Sequence, residues 1–247
     1  MRTVLILGGT GEARRLAGAL LPALRVVTSL AGRVARPALP PGEVRVGGFG
    51  GAEGLAAHLR AAGVDLLVDA THPFAAGISA NAAAAARLTG VPLVVLRRPG
   101  WTAVPGDVWH RVAGLPAAAE LVAGLGERVF LTTGRQGLAA FAHLEASWFL
   151  VRSVDPPDPP APPRMEALLD RGPFTVDGEL GLLRRYRIDV LVTKDSGGPM
   201  TAAKLTAARA LGVPVVMVDR PPPIPGIPAA ATVEDATALV HALLKVA

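Results

Sequence analysis

Short apolar runs recur along the chain and alternate with stretches in which apolar residues follow a helical period. Runs rich in Val, Leu and Ile with little polar alternation are typical of strands in a parallel sheet that helices cover on both faces. Strands are predicted at residues 3–7, 25–29, 43–46, 66–69, 93–96, 109–112, 128–131, 148–152, 190–193 and 215–218. Helices are predicted at residues 12–21, 52–62, 75–88, 116–123, 137–144, 164–170, 178–187, 201–211 and 233–245, the last with Thr232 as its N-cap.

The alternation of strands and helices restarts after residues 98–106, with five predicted strands on each side. This arrangement predicts an α/β protein with two Rossmann-like parallel-sheet domains, residues 1–98 and 99–247, and a ligand cleft between them. Two proline-rich segments, residues 155–163 and 220–228, must be irregular because proline lacks a backbone donor and restricts the residue before it. They are interpreted as ordered surface loops, with a lip over the cleft as the functional alternative.

Composition excludes several classes of site. The chain has no cysteine, which excludes disulfides, thiol nucleophiles and thiolate-bound metals. Its five histidines form no pair with the helical spacing of metal ligands, so no metal is expected. No apolar run approaches the roughly 18 residues that span a bilayer, and the first apolar run is too short for a signal peptide. A cytoplasmic protein is therefore expected.

The charge balance indicates an acidic ligand. The net charge is +5 and the pI is near 10.6. However, the chain has only ten aromatic residues and no basic run longer than residues 184–187, which argues against the stacking platforms and basic stripes of a nucleic-acid-binding protein. A polyanionic small molecule matches the scattered arginines better.

The first predicted strand runs into a glycine-rich turn, residues 8–12 (Gly-Gly-Thr-Gly-Glu), which opens the first helix. A dinucleotide-binding fingerprint occupies this position, and its turn is represented here by Gly9, Thr10 and Gly11. The spacing departs from G-x-G-x-x-G because Arg14 stands where Gly or Ala is required. A ligand loop and a tight structural turn both remain open at this point.

The end of the second predicted strand adds a signal about the cofactor. A site for NAD favours Asp or Glu there, whereas this chain has Ser29, followed by Arg33 and Arg36. A hydroxyl with nearby guanidinium groups suits a 2′-phosphate better than a free ribose. This end of the strand therefore favours NADP over NAD.

A second group of polar residues follows the fourth predicted strand, in residues 69–75 (Asp-Ala-Thr-His-Pro-Phe-Ala). Thr71 and His72 come directly after the strand, and Ser79 follows on the helix that Pro73 opens. Polar residues at the carboxyl end of a parallel strand lie where α/β folds bind ligands, and His72 is a candidate proton donor. The alternative is that Thr71 or His72 only caps the helix.

Two further turns can hold anions. Residues 132–135 (Thr-Thr-Gly-Arg) follow a strand, and their hydroxyls, glycine and guanidinium group suit a phosphate or a carboxylate. Arg97 follows the strand at residues 93–96 and is an anion ligand or a solvated linker charge.

The segment 189–204 is the most distinctive of all, because it holds two of the chain's three lysines against twenty-two arginines. Lys194 and Lys204 lie on either side of Gly197 and Gly198, at a strand-to-helix turn. Glycines let backbone N–H groups approach a ligand, and a helix N-terminus adds partial positive charge. The pattern predicts a site for phosphate or carboxylate, with an ordinary turn and one solvated lysine as the alternative.

Four of these turns come directly after predicted strands. Because the carboxyl ends of parallel strands meet at one edge of a sheet, we expect the turns to face a shared cleft.

With these motifs in place, the chain resembles the precorrin-6A reductase family of cobalamin biosynthesis, which includes the cobalt-precorrin-6A reductases. The resemblance runs in the family's order over nearly the whole chain. It is carried by residues 4–14, 69–75 with Ser79 and Asn81, 132–135, 172–174 with Glu179, 192–198 through Lys204, and 215–221. The two proline-rich loops depart from it.

The resemblance implies an NADPH-dependent reduction of one ring double bond in precorrin-6A or cobalt-precorrin-6A, giving the dihydro product precorrin-6B. It also implies that the cofactor and the macrocycle meet in the cleft between two Rossmann-like domains. A tetrapyrrole with many carboxylates agrees with the arginine-rich composition. The lack of a metal or nucleophile constellation agrees with hydride transfer, in which the cofactor carries the chemistry.

Roles are assigned to the motif residues on this basis, although the motifs alone leave open which turn holds cofactor and which holds macrocycle. The predicted catalytic residues are His72, Lys194 and Asp195. The predicted cofactor contacts are Gly9, Thr10, Gly11, Ser29, Arg33, Thr133, Gly134, Arg135, Ser196, Gly197 and Gly198. The predicted substrate contacts are Thr71, Phe74, Ser79, Arg97, Thr201 and Lys204.

Three alternatives remain at this point. One is a non-catalytic NADP-binding regulator, which would use the same turns without a substrate site. Another is a nucleic-acid-binding protein that relies on the high pI. The third keeps the reaction and acts on the cobalt-loaded macrocycle.

Overall fold

The computed structural model describes residues 1–32 and 38–246, and the chain divides into two compact units. The first unit comprises Met1–Pro99 and Pro221–Ala247, and the second comprises Gly100–Arg220. Within the described residues, each unit contains one six-stranded sheet whose neighbouring strands are all parallel. The predicted α/β class with two parallel sheets is confirmed.

The elements follow the predicted alternation. The strands are β1 Thr3–Leu7, β2 Arg25–Leu30, β3 Glu43–Val46, β4 Leu66–Asp69, β5 Leu93–Leu96, β6 Trp109–Val112, β7 Arg128–Leu131, β8 Trp148–Ser153, β9 Met165–Leu169, β10 Val190–Lys194, β11 Val215–Val218 and β12 Ala229–Ala230. The helices are α1 Gly11–Leu20, α2 Gly51–Ala61, α3 Ala76–Thr89, α4 Leu115–Val122, α5 Val176–Arg185, α6 Ala203–Leu211 and α7 Val233–Leu244. Short 3₁₀ helices cover Arg135–Phe141 and Pro199–Thr201.

Both sheets are doubly wound. Their strand orders are β12-β5-β4-β1-β2-β3 in the first unit and β6-β11-β10-β7-β8-β9 in the second. The winding direction reverses between β1 and β4 in the first unit and between β7 and β10 in the second. At such a switch point the loops leave the sheet on opposite faces, which opens a crevice at the carboxyl ends of the strands.

Helices cover both faces of the first sheet because its strands are apolar on both sides. On one face, α1 and α7 pack on a core that includes Leu16, Val68 and Val240. On the other face, α2 and α3 pack on a core that includes Leu5, Leu55 and Ala82. The predicted start of α7 is confirmed, because the Thr232 hydroxyl accepts from the Asp235 N–H at 3.1 Å.

The structure differs from the predicted elements at three places. Residues 164–170 were expected to be a helix, but Met165–Leu169 form β9 and pair with β8. The free edge of β8 offers a ladder of backbone hydrogen bonds that outweighs the helical propensity of so short a segment. The predicted helix at residues 137–144 is replaced by the 3₁₀ helix at Arg135–Phe141, and the two-residue strand β12 is not predicted.

The expected division of the chain also differs for its last part. Residues 221–247 were placed with the second domain, but β12 pairs with β5 and α7 packs on α1, both in the first unit. The hydrophobic pattern of a short strand and one helix does not specify which of two parallel sheets they complete. Among the described residues, no helix has the length and apolar character needed to cross a membrane.

Candidate functional site

The turn after β1 lies at the switch point of the first unit and combines a tight position with an open one. The Gly8 N–H donates to the Ser29 carbonyl at 2.9 Å, and a Cβ on Gly8 would lie 2.7 Å from Thr28 Cγ2. Gly9 has φ +110°, and a Cβ added there would meet open space. The backbone is therefore packed against β2 at Gly8. At Gly9, two residues before α1 begins at Gly11, it is accessible to a ligand.

Thr10 closes this turn with its side chain. Its buried hydroxyl donates to the Ala70 carbonyl at 2.8 Å and accepts from the Ala13 N–H at 3.0 Å. It thus caps α1 and joins the start of that helix to the end of β4. The predicted cofactor contact of Thr10 would therefore run through its backbone N–H.

Removing this hydroxyl should destabilise the first unit. We expect Thr10→Val to lower the free energy of unfolding by about 1–3 kcal/mol, because the buried Ala70 carbonyl and Ala13 N–H both lose a partner. Thr10→Ser keeps both bonds and is the matched control. Urea denaturation of the three proteins measures the difference. Equal midpoints for Thr10→Val and the wild type would show that the hydroxyl does not hold the turn.

The first turn of α1 carries an ion pair. Glu12 accepts from Arg98 at 2.9 Å, and both side chains are less than one-fifth exposed. A carboxylate suits the positive end of the helix dipole but repels an anionic ligand at the same place. The Arg98 guanidinium offsets that repulsion.

Ser29 is buried near the carboxyl end of β2, which is the edge of a doubly wound sheet where a nucleotide ribose binds. Its hydroxyl accepts from Arg45 Nη1 at 3.2 Å, across the β2–β3 register that pairs the two residues. Arg33 and Arg36, which the sequence placed beside Ser29, lie outside the described residues. The guanidinium that the structure does bring to Ser29 therefore comes from β3.

The turn after β4 is shaped by Asp69. This buried carboxylate accepts from the Thr71 N–H at 3.0 Å and from the Thr71 hydroxyl at 2.6 Å. The exposed His72 follows, and its Nδ1 accepts from the Phe74 N–H at 3.3 Å while the two rings lie 5.8 Å apart. With Nδ1 as the acceptor, the proton of the neutral imidazole is on Nε2.

A cavity of about 290 Å³ opens beside this turn. Thr71, His72, Ser79 and Arg97, four of the residues singled out from the sequence, line it. The opposite wall is the proline-rich loop, with Pro221–Pro223, Ile224 and Ile227, and Arg97 Nη2 donates to the Pro221 carbonyl at 2.6 Å. The loop is thus held as one wall of a cavity that combines an apolar side with a few polar groups.

In the second unit, the turn after β7 begins the corresponding switch point. The buried Thr133 hydroxyl has no hydrogen-bond partner among the described residues, and a Cβ added to Gly137 would lie 2.9 Å from it. Gly134 has φ +75° and faces open space, and Arg135 forms a 3.6 Å ion pair with the exposed Asp158. This turn can offer backbone N–H groups and one guanidinium to an anion.

Asp195, at the end of β10, is enclosed by donors. Its carboxylate accepts from the Trp101 N–H at 2.9 Å and from Arg111 Nη2 at 3.0 Å. A Cβ on Gly100 would lie 2.7 Å from Asp195 Oδ2, and Arg220 Nε donates to the Asp195 carbonyl at 2.6 Å. These contacts show that Asp195 holds the chain at residues 100–101, and its catalytic role stays a prediction.

The glycine turn after β10 bends back on Lys194. The Ser196 N–H donates to the Lys194 carbonyl at 2.7 Å, and Gly197 and Gly198 have φ +66° and +78°. Burial lowers the pKa of Lys194 below its ordinary value. Trp101 Nε1 donates to the Gly198 carbonyl at 3.0 Å and fixes the far end of the turn.

Lys204 lies inside the second unit. Its side chain is almost fully buried, and Nζ donates to the Thr201 carbonyl at 2.9 Å and lies 4.9 Å from the Trp101 ring centre. The pKa of Lys204 is lowered to about 7, mainly by burial and secondly by the Arg152 charge, while the Glu179 charge acts in the opposite direction. Thr201 and Lys204, both predicted substrate contacts, thus contact each other in this structure, and their contact with substrate stays a prediction.

Beside Lys204 lies a buried ion pair that was not singled out for a role from the sequence. Arg152 donates to both oxygens of Glu179, at 2.5 and 2.8 Å, and each side chain is at most 6% exposed. The Arg152 guanidinium also lies 3.9 Å from the Phe174 ring centre. Phe174 and Glu179 carry part of the family resemblance, but only the fold brings them to Arg152.

The chain matches known proteins over nearly its full length. The family described as precorrin-6x reductase CbiJ/CobK matches residues 3–243. The chain belongs to this family. A precorrin-6A reductase of Rhodococcus erythropolis is 61% identical over 237 residues, covering 95% of this chain and 94% of the relative. A cobalt-precorrin-6A reductase of Priestia megaterium is 31% identical over 231 residues, covering 88% and 90%.

The fold of the precorrin-6x reductase family agrees with this structure. A solved CobK precorrin-6A reductase superimposes with a TM-score of 0.90 at 45% identity, covering 98% of this chain and 97% of the other.

In this member of the family, most of the candidate residues lie in one group in each unit. The first unit brings Gly9, Thr10, Gly11 and Ser29 to one side of its switch point and Thr71, His72, Phe74, Ser79 and Arg97 to the other. The second unit groups Thr133, Gly134 and Arg135 with Lys194, Asp195, Ser196, Gly197 and Gly198. Among the described residues, no three His, Cys, Asp or Glu side chains lie close enough to hold a metal ion.

Arg45, which lies on the edge strand β3 beside Ser29, was not singled out from the sequence. Its position at the carboxyl end of the third strand was a usable signal, because an arginine there reaches the same sheet edge as Ser29.

Proposed function

We propose that this protein reduces one ring double bond of precorrin-6A with NADPH and releases the dihydro product precorrin-6B, a step of cobalamin biosynthesis. The choice of substrate is supported by the 61% identity, along nearly all of both chains, to a protein named precorrin-6A reductase. The identity to the cobalt-precorrin-6A reductase is half as high, which favours the metal-free macrocycle. The excess of arginine suits a substrate with many carboxylates.

The residues of the first unit fit NADPH. The open backbone at Gly9 and the N-terminus of α1 suit the pyrophosphate, with Arg98 offsetting the charge of Glu12. Ser29 and Arg45 lie at the end of β2 and β3, where a phosphate on the adenosine ribose would be. When bound, NADPH would supply the hydride.

The second unit is less suited to bind the 2′-phosphate that distinguishes NADPH from NADH. At the end of its β8, Arg152 is buried and paired with Glu179, and the Ser153 hydroxyl donates to the Asp155 carbonyl at 2.7 Å. Acidic Asp155 and Asp158 follow in the same loop. The first unit is therefore the better candidate for the cofactor.

The cavity beside His72 has room for one ring but not for a tetrapyrrole, since about 290 Å³ is at the lower limit of small-molecule sites. It lies on the β4–β5 side of the switch point, across from Ser29 and Arg45. A dinucleotide laid across the switch point would have its nicotinamide on that side. In this arrangement Thr71, Ser79 and Arg97, which line the cavity, would hold the reacting end of the cofactor.

His72 and Lys194 are the candidate proton donors. Reduction of the double bond requires a hydride on one carbon and a proton on its neighbour. His72 is exposed and can give up a proton in its imidazolium form, and burial lowers the pKa of Lys194, which makes its ammonium group a stronger acid. Each can deliver the proton directly or through water.

Anaerobic incubation of the purified protein with precorrin-6A and NADPH tests the proposal. We expect loss of NADPH absorbance and a product heavier by two hydrogens, with slower turnover of the cobalt-loaded macrocycle. If NADPH is not oxidised with either macrocycle, the proposal is wrong, and a non-catalytic NADP-binding protein becomes the better explanation.

The two donors can be told apart by substitution. We expect His72→Ala or Lys194→Ala, whichever removes the proton donor, to lower kcat about 100-fold and to abolish one limb of the pH profile. If either residue only holds an anionic group, the transition-state stabilisation measured by kcat/KM should fall by about 1.5–3 kcal/mol, and both limbs of the pH profile should remain. His143→Ala, an exposed histidine of the second unit, is the control. Normal kcat and KM in both variants would refute the assignment.

A further inference from the structure

Arg45 is held as the middle of a stacked group on the first sheet. Its Nη1 donates to the Gly47 carbonyl at 2.6 Å and to the Ser29 hydroxyl at 3.2 Å, and its Nη2 donates to the Gly48 carbonyl at 2.7 Å. The guanidinium lies 3.9 Å from the Phe49 ring centre, and Phe49 in turn packs on His58 with ring centres 5.2 Å apart. The Arg45 guanidinium is therefore oriented by uncharged groups, namely two carbonyls, a hydroxyl and an aromatic ring.

The charge of Arg45 is not cancelled by its own strand. The acidic residue of β3, Glu43, is engaged by Arg25 at 2.7 and 2.9 Å. Burial and, secondly, the Arg45 charge lower the pKa of His58, which favours the neutral imidazole in this stack. An oriented guanidinium with no carboxylate partner in the described residues is suited to an external anion.

The location of this charge matches one part of a dinucleotide. In a doubly wound sheet the adenosine ribose lies at the carboxyl end of the second strand, and Arg45 reaches that point through Ser29. A phosphate on the ribose 2′-oxygen would add up to two negative charges there, whereas a free hydroxyl would leave the guanidinium without a partner of opposite charge.

We propose that Arg45 is the specificity residue by which this protein selects a dinucleotide carrying a 2′-phosphate over one with a free 2′-hydroxyl. The inference rests on the proposed use of NADPH and adds the residue that makes the choice. Phe49 keeps the guanidinium plane in place, and Ser29 sets its approach to the sheet edge.

Binding of NADP⁺ and NAD⁺, measured separately by isothermal titration calorimetry without macrocycle, tests the inference. We expect Arg45→Ala to weaken NADP⁺ binding about 10- to 100-fold and to change NAD⁺ binding less than about 3-fold. Arg25→Ala removes a guanidinium from the other end of the same strand pair and should change neither affinity. Arg45→Lys, which keeps charge but not the planar fork, should recover part of the preference.

The outcomes separate the inference from the function on which it rests. Equal weakening of both dinucleotides in Arg45→Ala would mean that the residue only holds the loop at Gly47 and Gly48, and would overturn the inference. Unchanged NADP⁺ binding would overturn it as well. A wild-type protein that binds neither dinucleotide would instead refute the proposed cofactor.

Discussion

Replacing Glu179 with glutamine is expected to lower the free energy of unfolding by about 3–5 kcal/mol. The carboxylate is the partner of the buried Arg152 guanidinium, which has Lys204 close by. Without its negative charge, two basic groups would remain in a site from which water is excluded. The substitution should also push the pKa of Lys204 down, because Glu179 raises it in the native protein.

Urea denaturation at pH 8 measures the loss. The double variant Arg152→Met, Glu179→Leu removes both charges and should recover most of the stability, since no buried charge is left unpaired. Glu43→Gln breaks a pair of similar geometry on the surface and should change the midpoint only slightly. A loss in Glu179→Gln no larger than that in Glu43→Gln would contradict the assignment of this pair to the core.

Lys204→Met is expected to stabilise the protein, and most strongly at low pH. Burial lowers the pKa of Lys204 from 10.5 to about 7. Below pH 7 the amine is protonated in both states, so the native state carries the full penalty of a buried charge. Between pH 7 and 10.5 only the unfolded chain holds the proton, so the stability of the native protein rises with pH. The lowering of the pKa corresponds to at most about 5 kcal/mol.

Unfolding free energies of wild type and Lys204→Met at pH 6, 8 and 9.5 check this expectation. The gain should be largest at pH 6 and shrink as pH rises. Lys194 also makes the free energy of unfolding rise with pH, because its pKa is lowered as well. This contribution is the same in both proteins and cancels in the difference. Leu205→Met on the same helix controls for the side-chain change. A gain that is constant with pH would show that Lys204 keeps its proton in the native protein.

The sequence predicted the sheet strands well because most of them are short apolar runs buried on both faces, as at Val4–Ile6 and Val190–Val192. It failed at β9, where Met165–Leu169 read as a helix by local propensity. Whether so short a segment becomes a strand depends on the free edge of β8, whose paired residues lie sixteen positions earlier in the chain and outside the local pattern.

The candidate turns were found for a related reason. A glycine-rich or polar segment directly after a parallel strand lies at the ligand edge of the sheet in any doubly wound fold, so Gly9, His72 and Gly198 were identified without knowledge of contacts. Arg45 was missed because its partner Ser29 is sixteen positions away and meets it only through strand register.

By itself, the sequence determined the α/β class, most of the strand positions and the turns that follow them, because apolar strand patterns and turn chemistry are local properties. Only the tertiary structure decided which sheet residues 221–247 complete, and that Asp195 and Lys204 lie enclosed by Trp101, Arg111 and Arg152. Those outcomes depend on burial and on pairing between residues distant in the chain. A residue type in a motif states what chemistry is possible, and its desolvation and partners decide whether the group faces a ligand or the core.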